Sequence, residues 1–250
     1  QKLKLGTVNM WLPSSVMASI HDEFGVFDMP FIIKDRNHMN KVESQVLPGM
    51  FKNLEAKTGY KVIAVWENGF RHITNNVRAI DKPDDLKGIK LRTPKSKWRV
   101  KMFQSYGANP TPMSFSEVFT ALKTGTMDGQ ENPYAQIASA KFQEVQKYLS
   151  ITGHVYTPAY VAVHKDHWSK LPADVRDILE QAAQDTQKFV YEEAARLEKS
   201  LLGVIESAGV QVNTADKGAF IAASKGIYDQ FASEVSTGGA LIDKVSSLAN

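Results

Sequence analysis

The chain has 250 residues, 43% of them hydrophobic and 23% charged, which is the composition of a folded globular protein with a sizeable core. Its 30 Lys and Arg against 27 Asp and Glu leave a formal charge of +3 with no basic run, so nucleic acid is not expected as a partner. No apolar stretch approaches the roughly 20 residues that span a bilayer, and the chain has no cysteine for disulfides or thiolate metal sites.

Short apolar runs alternate with amphipathic segments, and this pattern predicts an α/β protein. Strands are predicted at residues 7–11, 61–67, 70–74, 89–93 and 160–164. The run KVIAVWE at 61–67 is apolar on both faces, which indicates a buried strand. A helix is predicted from Lys97 to Tyr106, and Ser114 with Glu117 forms a capping box that begins another helix.

The segment from Ala173 to Ala208 keeps apolar residues at near helical spacing and has no internal proline. As one helix, its roughly 36 residues would extend about 54 Å. The pattern allows either a continuous helix that crosses two domains or two packed helices separated by a kink.

The stretch MDGQENPYAQ, residues 127–136, follows the second predicted helix and places acids and amides between a glycine and a proline. These residue types are common in solvated loops, where they satisfy their own backbone. The same hydrogen-bonding groups also suit a binding site, and both interpretations stay open from the residues alone.

Two arginines are candidates for binding a carboxylate. Arg92 lies at the end of the predicted strand in GIKLRTP, near the edge where α/β sheets bind ligands. Arg71 follows an Asn-Gly turn. Two guanidinium groups and the Asn132 amide suit a carboxylate, because each guanidinium can donate to two oxygens; for each arginine alone, a surface ion pair is the common alternative.

The sequence gives weaker signals for pocket walls, metal sites and catalytic or phosphate-binding motifs. Trp66, Phe70 and Phe115 are either walls of a pocket or ordinary core. His164 and His167 are the only closely spaced histidines, but they lie where a strand gives way to a helix, and no metal site is expected. The chain has no nucleophile elbow and no glycine-rich phosphate loop, and no cofactor is expected.

Four blocks, WENGFRHITN, DLKGIKLRTP, YGANPTPMSFSEVFTALKTGTMDGQENP and EVQKYLSITGHVY, resemble the signature blocks of the solute-binding receptors of TRAP (tripartite ATP-independent periplasmic) transporters. The resemblance runs from about Leu5 to Val212. It implies a periplasmic-binding-protein-like fold, in which two α/β domains are joined by hinge strands, bridged by a long helix and closed over an organic acid. The implied domains are residues 1–69 with 158–197, and residues 70–157 with 198–250.

The resemblance also implies which residues bind the ligand. By position in the blocks these are Arg92, Arg71, Asn132 and Phe115, with Trp66 and His154 in blocks that reach the pocket in some members. No metal and no catalytic residue are implied.

Within MDGQENPYAQ, we expect Gly129 to let the chain turn, Pro133 to occupy the first position of the next helix, and Asn132 to face the cleft opposite Arg92. Three polar neighbours are expected to hold the loop or the hinge, not the ligand. They are Asp128, Gln130 and Glu131.

The implied function is to bind a small organic acid and deliver it to the membrane subunits of a TRAP transporter in the periplasm. Sugar acids, C4-dicarboxylates and aromatic acids all fit the residues. The chain opens without a signal segment, and the strand, helix and strand that precede LGTVNM in the family are expected to be missing or unrecorded. The alternatives are an enzyme on a small acid, with Asp128 or Glu131 as general base and Arg92 as anchor, and a scaffold that binds only protein.

Overall fold

The computed structural model describes residues 1–249 and contains two β-sheets. The strands are β1 (Tyr60–Phe70), β2 (His72–Asn75), β3 (Lys90–Thr93), β4 (Asn109–Pro112), β5 (Gly129–Asn132), β6 (Tyr148–Ile151), β7 (Tyr156–His164) and β8 (Gln211–Thr214). Strands β1 and β7 form an antiparallel two-stranded sheet. The other six form a mixed sheet in the order β4-β3-β5-β2-β6-β8.

Helices cover both sheets. They are α1 (Arg36–Gln45), α2 (Leu47–Thr58), α3 (Lys97–Ser105), α4 (Phe115–Lys123), α5 (Tyr134–Ser139), α6 (Lys165–Trp168), α7 (Ala173–Ser207), α8 (Lys217–Ala223), α9 (Lys225–Glu234) and α10 (Gly238–Ser247), with 3₁₀ helices at Ser15–Ser19, Asp22–Asp28, Pro83–Leu86 and Phe142–Glu144. The predicted capping box at α4 is confirmed, since the Glu117 carboxylate accepts from the Ser114 backbone N–H at 3.2 Å. Within residues 1–249, no helix combines the length and the apolar character needed to cross a membrane.

Helix α7 is one continuous helix of 35 residues, which decides between the two interpretations of this segment. Two buried residues on it lie in different cores. Ala183 packs with Ile63 and Val161 of the two-stranded sheet, whereas Ile205 packs with Leu149 of the six-stranded sheet. The helix therefore connects both sheets. Because it is buried at Ala183 and again at Ile205, packing stabilises it as one unbroken helix.

Between Tyr60 and Thr214 the chain passes between the two sheets three times: after β1 at Phe70, before β7 at Tyr156, and along α7 between β7 and β8. These crossings lie close to the expected domain boundaries, and the division into domains stays a prediction. The C-terminal residues do not pack only with the six-stranded sheet, because Phe231 and Val245 lie in the same core as Phe24 in the 3₁₀ helix Asp22–Asp28.

The predicted strand at 7–11 is wrong. Only Trp11 pairs, exchanging two backbone hydrogen bonds with Ala162 at 3.0 and 2.8 Å. The chain turns at Gly6, whose φ is 72°, and Pro13 has no N–H with which to extend a ladder. The predicted strand at 70–74 is instead divided at Arg71, between the end of β1 and the start of β2.

The turn predicted at Gly129 is also wrong, because residues 129–132 form β5, a fully buried strand between β3 and β2. Gly129 is needed for close approach, since a Cβ atom there would lie 2.3 Å from the Thr74 carbonyl oxygen. Pro133 is the N-cap residue of α5, one position before the helix begins, and is not its first helical residue. Gln130 and Glu131 are buried and lie opposite Thr74 and Ile73 of β2, and the expectation that they hold the loop or the hinge, not the ligand, stays a prediction.

Candidate ligand-binding site

A cavity of about 640 Å³ opens at the ends of β3 and β5 and is the candidate site. Four of the six predicted ligand residues line it: Arg71, Arg92, Phe115 and Asn132. Its remaining lining includes Trp11, Ser14, Ser15, Asn68, Lys95, Met113 and Gln136. The position fits the preference of α/β sheets for ligands beyond the carboxyl ends of their strands.

Arg92, on β3, is buried but has no ion-pair partner among residues 1–249. Its Nε and Nη2 both donate to the Met113 carbonyl oxygen, at 3.0 and 2.6 Å, and its Cζ lies 6.0 Å from the centre of the Phe115 ring. Burial, and then the charge of Arg71, lower the pKa of Arg92 to about 10. Its Nη1 makes no hydrogen bond within the described part of the chain, so it remains free to donate to an anion.

Arg71 lies between β1 and β2 and is held by Glu131 of β5. Its Nε donates to Glu131 Oε2 at 2.5 Å, and its Nη2 donates to Oε1 at 3.0 Å and to the Glu131 backbone oxygen at 2.5 Å. Burial alone would raise the pKa of Glu131, but Arg71 and Arg99 lower it well below its usual range. Glu131 is therefore ionised, and it fixes Arg71 with Nη1 unpaired in the described structure.

Arg99, on α3, is a second guanidinium on Glu131 that the sequence interpretation missed. It is fully buried, and donates to Glu131 Oε2 at 2.8 Å and to Asp28 Oδ1 at 2.5 Å. The signal was present in the helix pattern: Arg99 precedes Met102 and Phe103 by three and four residues, which places it on the core-facing side of α3. A charged residue on that side needs a buried counter-ion.

The buried charges do not cancel. Arg71, Arg92 and Arg99 carry three positive charges against two carboxylates, Asp28 and Glu131, which leaves one positive charge beside the cavity. Two of the buried histidines, His154 and His72, lie near this cluster and do not add to the charge at neutral pH: burial chiefly lowers the pKa of His154 to about 4 and that of His72 to about 3. An excess buried charge is costly, and an anionic group in the cavity would compensate it.

Trp66 and His154 do not line this cavity. The Trp66 indole faces α7, where its Nε1 donates to the Ala183 backbone oxygen at 2.9 Å. Both His154 ring nitrogens are occupied inside the protein, Nε2 by Glu131 Oε2 at 2.9 Å and Nδ1 by Thr152 Oγ1 at 2.7 Å. His154 therefore pairs with Glu131 inside the protein, and Trp66 joins β1 to α7.

The carboxylates considered as general bases also lie outside the cavity lining. Asp128 Oδ2 accepts from the Lys90 backbone N–H at 2.8 Å, which ties β5 to β3 and agrees with its expected structural role. Glu131 is saturated by two guanidinium groups, and its lowered pKa makes it a poor proton acceptor.

Comparisons with known proteins agree with this arrangement. A family model described as DctP, bacterial extracellular solute-binding protein, family 7, matches residues 1–234. The 2,3-diketo-L-gulonate-binding periplasmic protein YiaO of Escherichia coli K12 is 36% identical over 97% of this chain and 75% of its own length.

Two solved structures extend the comparison to the fold. A TRAP periplasmic solute binding protein from Polaromonas sp. JS666, bound to D-erythronate, has a TM-score of 0.92 and 34% identity over 98% of this chain and 81% of its own. One from Sulfurospirillum deleyianum, with bound succinate, has a TM-score of 0.93 and 33% identity over 99% and 82%. The chain therefore belongs to the DctP family, the family 7 solute-binding proteins of TRAP transporters.

Proposed function

We propose that this protein binds a small organic acid in the cavity beside Arg92 and delivers it to the membrane subunits of a TRAP transporter in the periplasm. The observation that carries the proposal is the uncompensated positive charge at the cavity, where Arg92 is buried without a counter-ion among residues 1–249. A ligand carboxylate would accept from the free Nη1 atoms of Arg92 and Arg71.

The relatives support an acid as the ligand. The E. coli relative is named for 2,3-diketo-L-gulonate, and the two solved structures hold D-erythronate and succinate. Each of these ligands carries at least one carboxylate. The single excess charge favours one carboxylate at the buried end of the cavity, with Asn132 and Phe115 as the other contacts at that end.

We assign the cleft to the junction of the two proposed domains, with the chain crossings beside β1 and β7 as the hinge. A ligand that contacts both domains would favour the closed form, because it gains contacts there that the open form lacks. Binding in this proposal makes and breaks no covalent bond.

A thermal-shift screen of sugar acids, C4-dicarboxylates and aromatic acids tests the proposal. A ligand at 100 times its Kd is expected to add about 2.7 kcal/mol to the native state. NMR spectra of the acid incubated with protein should show it unchanged. Turnover would favour the enzyme, and the absence of a shift with every acid would contradict the receptor.

A further inference from the structure

Four neutral side chains form a hydrogen-bonded series that ends at the cavity, and we call it the amide relay: Gln146, Thr74, Gln130 and Asn132. All four are buried. Thr74 and Gln130 are directly opposite each other on β2 and β5, and Asn132 lies two residues further along the same face of β5.

The direction of the relay is set at its buried end. Gln146 Nε2 donates to the backbone oxygens of Asp128 and Val145, at 3.3 and 3.1 Å, and these oxygens can only accept. Gln146 Oε1 must therefore face Thr74, whose hydroxyl donates to it at 2.8 Å. Having used its one proton, the Thr74 oxygen accepts from Gln130 Nε2 at 2.8 Å.

The same logic fixes Asn132. Gln130 Oε1 is left facing Asn132 and accepts from Nδ2 at 2.6 Å. Rotating the Asn132 amide by 180° would set two acceptor oxygens against each other in a buried place, which is unfavourable. Asn132 Oδ1, which has no partner within residues 1–249, is consequently the group offered to the cavity, together with the second N–H of the amide.

A carboxylate cannot pair with this oxygen, because both are acceptors. A ligand atom that pairs with Asn132 Oδ1 must be a donor, and Arg92 pairs with Gln130 in the β3–β5 register, so this donor lies close to the bound carboxylate. Gln136 on the same wall likewise has a buried Oε1 without a partner in the described structure. Both amides call for hydroxyl groups on the ligand.

We propose that the amide relay makes this protein selective for 2-hydroxy carboxylates, with Asn132 Oδ1 accepting the hydroxyl next to the carboxylate held by Arg92 and Arg71. Asn132 is the residue that contacts the hydroxyl. Thr74 and Gln130 are positioning residues that act through Asn132. This inference rests on the proposed function and narrows its ligand class.

Calorimetry with acids that differ only at carbon 2 tests the inference. The pairs are D-erythronate with 3,4-dihydroxybutanoate and D-gluconate with 2-deoxy-D-gluconate. In each pair whose members bind, we expect the 2-hydroxy acid to have an affinity roughly tenfold higher or more than its deoxy partner. The deoxy acid leaves Asn132 Oδ1 unpaired.

Thr74→Val removes the hydroxyl that orients Gln130 without altering the cavity lining. It should reduce the preference within a pair to less than about threefold and leave the affinity for the deoxy acid nearly unchanged. Asn132→Leu should abolish the preference. Thr93→Val is the matched control, since Thr93 is buried on β3 with a hydroxyl that has no partner in the described chain.

Equal affinities within every pair that binds, or full preference in a folded Thr74→Val protein, would overturn the inference and leave the acid receptor intact. Failure of all four acids, and of every acid in the thermal-shift screen, would overturn the proposed function and this inference with it. Melting curves of each variant establish that it is folded.

Discussion

The two faces of β5 differ in the kind of polar group they bury. Glu131 points to one face, where it joins Arg71, Arg99 and His154 in an ionic cluster. Gln130 and Asn132 point to the other, where the hydrogen bonds of both side-chain amides join neutral groups. The ionic face determines the charge of the site, and the neutral face determines the direction of one donor and one acceptor.

The difference teaches how a buried site can be both charged and selective. An ionic cluster tolerates many anions, because Coulomb attraction depends weakly on orientation. A fixed amide rejects a ligand that presents the wrong group, because a buried unpaired acceptor is costly. The following variants break one face at a time.

Glu131→Gln should have the largest effect on stability. It removes the charge shared by Arg71 and Arg99 and leaves them buried together, which should lower the free energy of unfolding by about 3–5 kcal/mol. Urea unfolding measures the loss. Glu193→Gln, in an exposed pair with Arg196, is the control and should leave the urea midpoint unchanged. A loss below about 1 kcal/mol for Glu131→Gln would contradict the ionic cluster.

Arg92→Ala should abolish acid binding, because truncating one partner of a buried charged hydrogen bond costs about 2–5 kcal/mol. Arg92→Lys should weaken binding less, since it keeps the charge but loses the fork. Calorimetry measures both variants, and Arg196→Ala at the surface should bind as the parent does. Unchanged affinity in Arg92→Ala would refute the assignment.

Arg92→Met separates the binding role of this residue from its effect on the fold. In the empty protein Arg92 has no counter-ion in the described chain and is repelled by Arg71. Urea unfolding without ligand should therefore show equal or higher stability for Arg92→Met, which also binds no acid. A marked loss of stability would show that Arg92 supports the fold.

Lowering the pH should weaken the ionic face. The pKa of His154 is about 4 in the folded protein against 6.5 for a free histidine, so the unfolded chain binds more protons between these values. Stability is fully present above pH 6.5 and falls as the pH drops toward 4, by about 2 kcal/mol from this residue between pH 7 and pH 5. Urea unfolding of His154→Gln at both pH values should show a smaller decline.

Gln146→Leu should lower stability less than Glu131→Gln does, by about 1–2 kcal/mol from broken neutral hydrogen bonds. Because it changes no titratable group, its loss should be the same at pH 7 and pH 5. Urea unfolding at both values tests this. If Gln146→Leu lost as much stability as Glu131→Gln, or if its loss changed with pH, the result would contradict the difference between the two faces.

Local features of the fold could be predicted from the sequence. The buried strand KVIAVWE and the helix cap at Ser114 depend on neighbouring residues, and both were correct. The length of α7 was not decided by periodicity, because the choice between a rod and a kink depends on where Ala183 and Ile205 are buried.

Features that depend on distant strands could not be predicted. Gly129 and the polar residues after it have the local preferences of a turn, yet pairing with β2 and β3 makes them a strand. The four residues Arg71, Arg92, Phe115 and Asn132, which the resemblance assigned to the ligand, line one cavity. The core-facing position of Arg99 could be read from its helix, but its partners Asp28 and Glu131 could not, because they are remote in the chain.

Helix α7 also acts as a strut. It has no proline and a single glycine, Gly203, so it lacks the usual causes of a bend. Its two buried anchor points, Ala183 and Ile205, therefore lie at a fixed separation along one helix. In the proposed hinge motion, this constraint would favour rotation of the two sheets about the strut over straight separation.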